Sequence, residues 1–123
     1  MAFDDLRPQT PRTAENTRVP ILATTYGDTA LARSRAAAEM LSPVMDIAFG
    51  AYPDQKLDIF RPVGSERAPV LMFFHGGAWA HGYKEWNGFM APALVDLPAV
   101  LVSVGYRLVP DYKWPAPFDD ALN

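Results

Sequence analysis

The chain has 123 residues, of which 50% are hydrophobic and 20% charged, which is typical of one folded domain and excludes general disorder. Its net charge of −3 gives no electrostatic basis for binding nucleic acid or an anionic membrane surface, and no apolar run approaches the ~20 residues of a membrane span. The absence of cysteine excludes disulfides, thiolate zinc sites and a cysteine nucleophile, and it fits the cytoplasmic location that we predict.

Residues 1–43 form an N-terminal segment that we separate from a domain over residues 44–123. Within the first segment, the pattern predicts a helix from about Asp28, its N-cap, to Leu41, because Pro43 follows shortly after its end. The apolar stripe of this helix is narrow, so we expect it to pack on another element rather than to form a core of its own.

The domain over residues 44–123 begins with two short strands and continues with a strand–helix–strand pattern. Residues 45–49 and Lys56–Phe60 are separated by turn residues, which predicts an antiparallel hairpin. Val70–Phe74 is a continuous apolar run, typical of a strand that is buried on both faces. Apolar residues at helical spacing over 86–97 and a second buried strand over 99–104 complete a parallel βαβ unit. The sequence therefore predicts an α/β fold.

The loop after the apolar strand reads His75-Gly76-Gly77-Ala78-Trp79. Adjacent glycines directly after a strand permit a tight turn and the close approach of a ligand to the backbone. Consecutive N–H groups in such a turn can bind a developing oxyanion. For a bare Gly-Gly pair, a plain turn between strand and helix is the alternative interpretation.

This loop resembles the HGGxW oxyanion-hole motif of the α/β-hydrolases. Residues 55–62, 104–110 and 115–120 are similar, in order and spacing, to the second strand, the stretch after the fourth strand and the start of helix B of that superfamily. The resemblance covers residues 44–123. Its nearest branch is the kynurenine formamidase (arylformamidase)-like one, followed by the hormone-sensitive-lipase-like carboxylesterases. It implies the N-terminal part of an α/β-hydrolase sheet, with an antiparallel hairpin followed by a parallel βαβ unit.

The resemblance also implies roles for the residues of the loop. The backbone N–H groups of Gly77 and Ala78 would form half of an oxyanion hole, and Gly76 would shape the turn. His75 would hold the loop through hydrogen bonds and would not be the general base. Two side chains would line the substrate pocket, Trp79 and Tyr83. By analogy with the family, the N-terminal segment would lie over the pocket as a lid.

The chain departs from the family in lacking the nucleophile elbow G-x-S-x-G. Of its serines, Ser34, Ser42, Ser65 and Ser103, the last lies inside the second buried strand and is interpreted as a core residue. We therefore expect the Ser/Asp/His triad beyond Asn123, and we interpret the chain as truncated before the elbow. The function implied is part of a serine hydrolase that cleaves carboxylic esters or aryl-formamides. The alternative is an inactive remnant that acts as a ligand-binding or dimerisation module.

The expected partners follow from this interpretation. They are a small acyl ester or formamide substrate and a C-terminal half in cis or in trans, or else a second copy joined through Val70–Phe74, which would lie at the sheet edge. No cofactor or metal is predicted, because His75 and His81 do not have a recognised metal-binding spacing.

Other polar residues are given structural interpretations. His81 is expected either in solvent or at the rim of the pocket. Asp119 and Asp120 are expected to favour a helix N-terminus electrostatically. Asp58 and Arg107 could pair between strands or loops.

Overall fold

The computed structural model describes residues 22–123. The described chain contains three helices, four strands and two short 3₁₀ turns. In chain order they are α1 (Leu22–Leu41), β1 (Val44–Ala48), β2 (Lys56–Phe60), β3 (Val70–Phe74), the 3₁₀ turns Lys84–Trp86 and Gly88–Met90, α2 (Ala91–Val95), β4 (Val100–Val104) and α3 (Ala116–Leu122).

The four strands form one mixed sheet in the order β1-β2-β4-β3. β1 and β2 are antiparallel, as are β2 and β4, whereas β3 and β4 run parallel, with Met72 opposite Val102. The predicted hairpin and the predicted parallel pair are both confirmed. β4 lies between β2 and β3, and all five of its residues are buried.

The two faces of the sheet are covered differently. On one face, Phe60 of β2 and Leu101 of β4 pack with Ala38 of α1 and Ala91 of α2. On the other face, the valines of β4 pack with Leu57 and Ile59 of β2 rather than with a helix. α1 therefore shares a core with the sheet, as expected from its narrow stripe. Residues 1–21 lie outside the described part of the chain, and the lid role of the N-terminal segment stays a prediction.

Both helix predictions need correction. α1 begins at Leu22, so Asp28 lies inside the helix and is not its N-cap. The helix extends through Gly27, where a Cβ would lie 2.8 Å from the Trp86 ring, so close packing favours glycine there over a better helix former. The helix predicted over residues 86–97 is reduced to α2, preceded by 3₁₀ turns. Pro92 stands in the first turn of α2 because proline has no N–H to donate inside a helix.

The prediction that β3 is buried on both faces is wrong. Its residues Val70, Leu71 and Met72 are 59%, 43% and 53% exposed. β3 lies at the end of the strand order, so only β4 covers one of its sides within the described chain. The apolar run indicates a strand correctly, but it does not indicate which elements cover that strand.

None of the helices in residues 22–123 combines the length and the apolar character that crossing a membrane requires.

Candidate active site

The loop after β3 has an unusual backbone. Gly77 has a φ of +130°, and the next two residues, Ala78 and Trp79, have φ values of +53° and +62°. A non-glycine residue in the left-handed region costs about 1–2 kcal/mol, so two in succession require support from their surroundings. Because β3 and β4 are parallel, this loop leaves the sheet beside the loop that follows β4.

Hydrogen bonds hold the loop from two sides. The carbonyl of Gly77 accepts the N–H groups of Ala80 and His81 at 3.1 and 3.0 Å, and the carbonyl of Trp79 accepts the N–H of Val109 at 2.9 Å. In contrast, the N–H groups of Gly77 and Ala78 donate to no partner within residues 22–123, and both residues are exposed. The loop therefore presents two backbone donors on a braced turn.

His75 is buried beneath the loop rather than facing solvent. Its Nδ1 lies 2.9 Å from the carbonyl oxygen of Gly76, a distance at which Nδ1–H donates to that carbonyl. Burial lowers the pKa of His75, although backbone hydrogen bonds to Gly76 and His81 oppose the shift. A Cβ on Gly82 would lie 2.2 Å from Nδ1, so the ring also fixes the end of the loop. The ring is thus packed within the loop, and the role of His75 in holding the loop of an oxyanion hole stays a prediction.

Tyr106, which sequence reasoning did not select, supports His75 from the neighbouring loop. The two rings stack with centroids 4.4 Å apart at 18°, and the Tyr106 hydroxyl donates to the His75 carbonyl. Burial raises the pKa of Tyr106 to about 12, so the hydroxyl keeps its proton. The sequence did contain a signal for Tyr106. It lies two residues after the end of β4, at the same end of the sheet as the glycine loop.

The two residues predicted for the pocket lie in different aromatic groups. Trp79 is 48% exposed and contacts Tyr106 and Trp114 edge to face, with centroids 6.2 and 5.7 Å away. Tyr83 contacts Trp86 edge to face at 5.2 Å, and Trp86 in turn contacts Tyr26 of α1. The aromatic neighbours of Trp79 are therefore Tyr106 and Trp114, and the roles of Trp79 and Tyr83 in a pocket stay predictions.

A buried ionic cluster lies under the segment that follows the loop. The Nζ of Lys84 is 2.8 Å from Asp58, 2.7 Å from Glu85 and 2.9 Å from Asp46. Burial alone would lower the pKa of Lys84, but the two buried carboxylates raise it to about 12. Burial raises the pKa of Asp58 and of Glu85, and the ammonium partly opposes that shift. The three protons of the ammonium thus match three carboxylates.

Ser103 contributes to the same region as a structural residue. It is completely buried in β4, its hydroxyl donates to the backbone carbonyl of Lys84 at 2.7 Å, and it accepts the side-chain amide of Asn87 at 3.1 Å. Ser103 is therefore a satisfied core serine, as predicted.

The predicted pairing of Asp58 with Arg107 is wrong, because both side chains have other partners. Arg107 binds Asp120 of α3 through Nε, at 3.0 Å to each carboxylate oxygen, and also through Nη2. The side-chain amide of Gln55 donates to the same carboxylate at 2.7 Å. Asp120 therefore joins α3 to the strand loops, a role that its position near a helix start did not indicate.

The carboxylate of Asp120 gives a prediction about acid stability. Burial alone would raise its pKa, but hydrogen bonds from Arg107 and Gln55 lower it below the ordinary value. A lowered folded-state pKa contributes stability above the unfolded-state value, and this stability is lost as the pH falls through the folded-state pKa. We expect Asp120→Asn to lower the free energy of unfolding by about 2 kcal/mol at pH 7. The difference in stability between this variant and the unchanged protein should become smaller towards pH 3.

Urea unfolding at pH 7, 5, 4 and 3 measures this difference. The matched control is Asp96→Asn, since Asp96 is exposed at the end of α2. If the loss in free energy of unfolding caused by Asp120→Asn stays constant across the pH series, the predicted role of the carboxylate is contradicted.

Comparisons with known proteins bear on the family and the fold of this chain. Residues 71–123 match a family model described as the alpha/beta hydrolase fold. The chain is similar to a kynurenine formamidase of Danio rerio (38% identity over 75 residues, 60% of this chain). It is also similar to a gibberellin receptor of Arabidopsis thaliana (39% over 84 residues, 59% of this chain) and to Esterase LipC of Mycobacterium tuberculosis (36% over 72 residues, 56% of this chain). The matches cover 26%, 24% and 18% of those proteins, so the chain spans about a quarter or less of their lengths.

A solved structure shows the same fold. The crystal structure of a proposed thioesterase from Silicibacter sp. superposes with a TM-score of 0.72 at 20% identity. The superposition covers 88% of this chain and 41% of the other.

Proposed function

Since residues 71–123 belong to the α/β-hydrolase fold family, we propose that this chain supplies the oxyanion-hole loop of a serine hydrolase that cleaves carboxylic esters or aryl-formamides. Its similarity to a kynurenine formamidase and to an esterase supports hydrolysis at an acyl carbon. The catalytic serine, the acid and the histidine base are assigned to polypeptide beyond these 123 residues, because no G-x-S-x-G occurs in the sequence.

The observation that carries the proposal is the pair of backbone donors, the N–H groups of Gly77 and Ala78, that have no partner within residues 22–123. In acyl transfer, the carbonyl oxygen of the substrate gains negative charge when the serine attacks. Donors that are already fixed in place stabilise this charge without reorganisation, and one such donor accounts for about 10²–10³ in rate. We assign this role to the N–H groups of Gly77 and Ala78, because the carbonyl groups of the loop around them are held by hydrogen bonds: that of Gly76 by the His75 ring, that of Gly77 by Ala80 and His81, and that of Trp79 by Val109.

The proposal assigns a role to each of the aromatic residues around the loop. His75 and Tyr106 fix the loop from below and take no proton from substrate, because His75 is buried and bonded to the carbonyl of Gly76. The exposed ring of Trp79 provides an apolar wall beside the donors, and Trp114 extends that wall. A planar acyl or aryl group fits such a surface. We keep a cytoplasmic location as part of the proposal, from the absence of cysteine.

A second candidate function is ligand binding without turnover. It is favoured by the similarity to a gibberellin receptor, a relative named for binding rather than for hydrolysis. Under this function, the same exposed aromatic wall and unpaired donors would hold an acyl ligand, and no nucleophile would be needed. The two functions differ in a single observable, which is the presence of a reactive serine.

Fluorophosphonate labelling of the protein from its natural source, read by intact-mass and peptide mass spectrometry, tests the proposal. We expect the label on a serine of polypeptide that is continuous with this chain or bound to it, and none on Ser34, Ser42, Ser65 or Ser103. A sample without any reactive serine that still binds phenyl acetate would favour the receptor-like function. Label on Ser103 or on another serine of this chain would contradict both functions.

A further inference from the structure

We propose that Arg107 is a positioning residue whose planar guanidinium fixes the loop after β4 (residues 105–115) and thereby holds the proposed oxyanion loop (residues 75–79). The inference rests on the proposed function, since it concerns how the backbone donors of the oxyanion loop are kept in place. Arg107 acts through its neighbours in the chain, Tyr106 and Val109, and not on substrate.

The loop after β4 contacts the oxyanion loop on both sides of Arg107. One residue before Arg107, the Tyr106 ring stacks on His75 with centroids 4.4 Å apart, and the Tyr106 hydroxyl donates to the His75 carbonyl. Two residues after Arg107, the N–H of Val109 donates to the Trp79 carbonyl at 2.9 Å. These contacts reach the first and the last residue of the oxyanion loop. The position of the loop after β4 therefore determines where the backbone donors lie.

A single carboxylate fixes both the main chain and the side chain of Arg107. The backbone N–H of Arg107 donates to one oxygen of Asp120 at 2.8 Å, and the Nε of Arg107 lies 3.0 Å from each oxygen. The side-chain amide of Gln55 donates to the same carboxylate at 2.7 Å. Because the Asp120 side chain is only 1% exposed, water does not compete for these bonds. The loop after β4 is thus tied to α3 and to the turn between β1 and β2.

Two tyrosine rings hold the plane of the guanidinium. Its central carbon lies 4.3 Å from the ring centroid of Tyr52 and 5.7 Å from that of Tyr112, distances typical of cation–π contacts. The two rings contact each other edge to face at 5.5 Å, and the Tyr112 hydroxyl donates to Asp54 at 2.8 Å. A lysine would keep the charge but would lose the planar fork and its stacking. The arrangement therefore requires arginine at this position.

Amide hydrogen exchange of the whole chain carrying Arg107→Gln tests the proposal without catalysis. We expect the N–H groups of Val109 and His81 to exchange about tenfold faster or more, because the loops open locally, while the amides of β4 change by less than about twofold. The matched control is Arg61→Gln, at an exposed arginine that follows β2, and it should leave all these rates unchanged. Unchanged exchange of Val109 and His81 in Arg107→Gln would overturn the proposal. Equal acceleration throughout β4 would also overturn it, because that result reports only global stability.

Two further variants test whether the effect passes through the carboxylate and the guanidinium plane. Asp120→Asn should accelerate the same two amides, and the double variant with Arg107→Gln should add little, because both changes break one shared contact. Arg107→Lys should restore little of the lost protection. Fully additive effects in the double variant, or full protection in Arg107→Lys, would overturn the assigned role.

Kinetics of the complete hydrolase separate positioning from substrate binding. We expect Arg107→Gln to lower kcat about tenfold with less than about a twofold change in KM, because displaced donors fail mainly in the transition state. Arg61→Gln should change neither constant. An unchanged kcat, or a rise in KM alone, would overturn the positioning role. A complete protein without a reactive serine would contradict the proposed hydrolase function instead, and the exchange rates would then decide the role of Arg107.

Discussion

Replacing Lys84 with methionine is expected to lower the free energy of unfolding by about 3–5 kcal/mol, because it leaves buried carboxylates without a cation. The side chains of Lys84, Asp58 and Glu85 are 6%, 1% and 8% exposed, so water cannot replace the missing ammonium. The remaining carboxylates would have to take up protons in order to stay buried. Urea unfolding at pH 7 measures the loss, and Lys113→Met, at an exposed lysine, should change stability by less than about 0.5 kcal/mol.

A second variant separates the cost of an unpaired charge from the value of the cluster. The triple variant Lys84→Met, Asp58→Leu and Glu85→Gln removes the charges at both ends of the two shortest ion pairs. Buried ion pairs often contribute little compared with apolar residues of similar size, so we expect this triple variant to recover most of the loss. A loss below about 1 kcal/mol for Lys84→Met alone would show that the cluster is not desolvated as described.

Gly77→Ala is expected to disrupt the loop, whereas Gly76→Ala at the adjacent glycine should be tolerated. A Cβ on Gly77 would lie 2.0 Å from the backbone oxygen of His81, and the φ of Gly77 is +130°. At Gly76 a Cβ meets no atom within 4 Å, and the φ is not one that requires glycine. The clash at Gly77 is with backbone, so it can be relieved only by moving the turn, at a cost of about 2 kcal/mol or more.

Amide hydrogen exchange and thermal unfolding of the chain measure this effect. The N–H of His81, which donates to the Gly77 carbonyl, should exchange faster in Gly77→Ala and at an unchanged rate in Gly76→Ala. In a complete hydrolase, Gly77→Ala should also lower kcat by about 10²–10³ with little change in KM, because the oxyanion donors act in the transition state. If both glycine variants behave alike, the loop does not have the conformation described.

Elements set by local pattern could be predicted from the sequence. The hairpin, β3 and β4 follow from short apolar runs between turn residues, and the glycine loop follows from its position after β3. The predicted limits of the helices were less accurate, because tertiary packing and proline determine where the helices begin. α1 continues through Gly27, which fits against Trp86, and α2 begins only beside Pro92.

The partners of buried charges could not be identified from the sequence, because they depend on residues brought together by the sheet. Asp58 meets Lys84 from 26 positions away, and Gln55 meets Asp120 from 65. One signal was available. Asp58 lies two residues from buried Phe60 on the same face of β2, so a carboxylate there needs a cation. The sequence shows that such a partner must exist, but not which residue provides it.

The position of β4 also has a consequence for synthesis of the chain. Of the four described strands, β4 leaves the ribosome last, yet it is the strand that pairs with both β2 and β3. Until Val104 has emerged, β3 has no neighbour in the described sheet, and its apolar residues are exposed beside the early hairpin. Nascent chains that stop before Val100 would therefore carry an unpaired apolar strand, which is a typical binding site for chaperones and a typical start of aggregation.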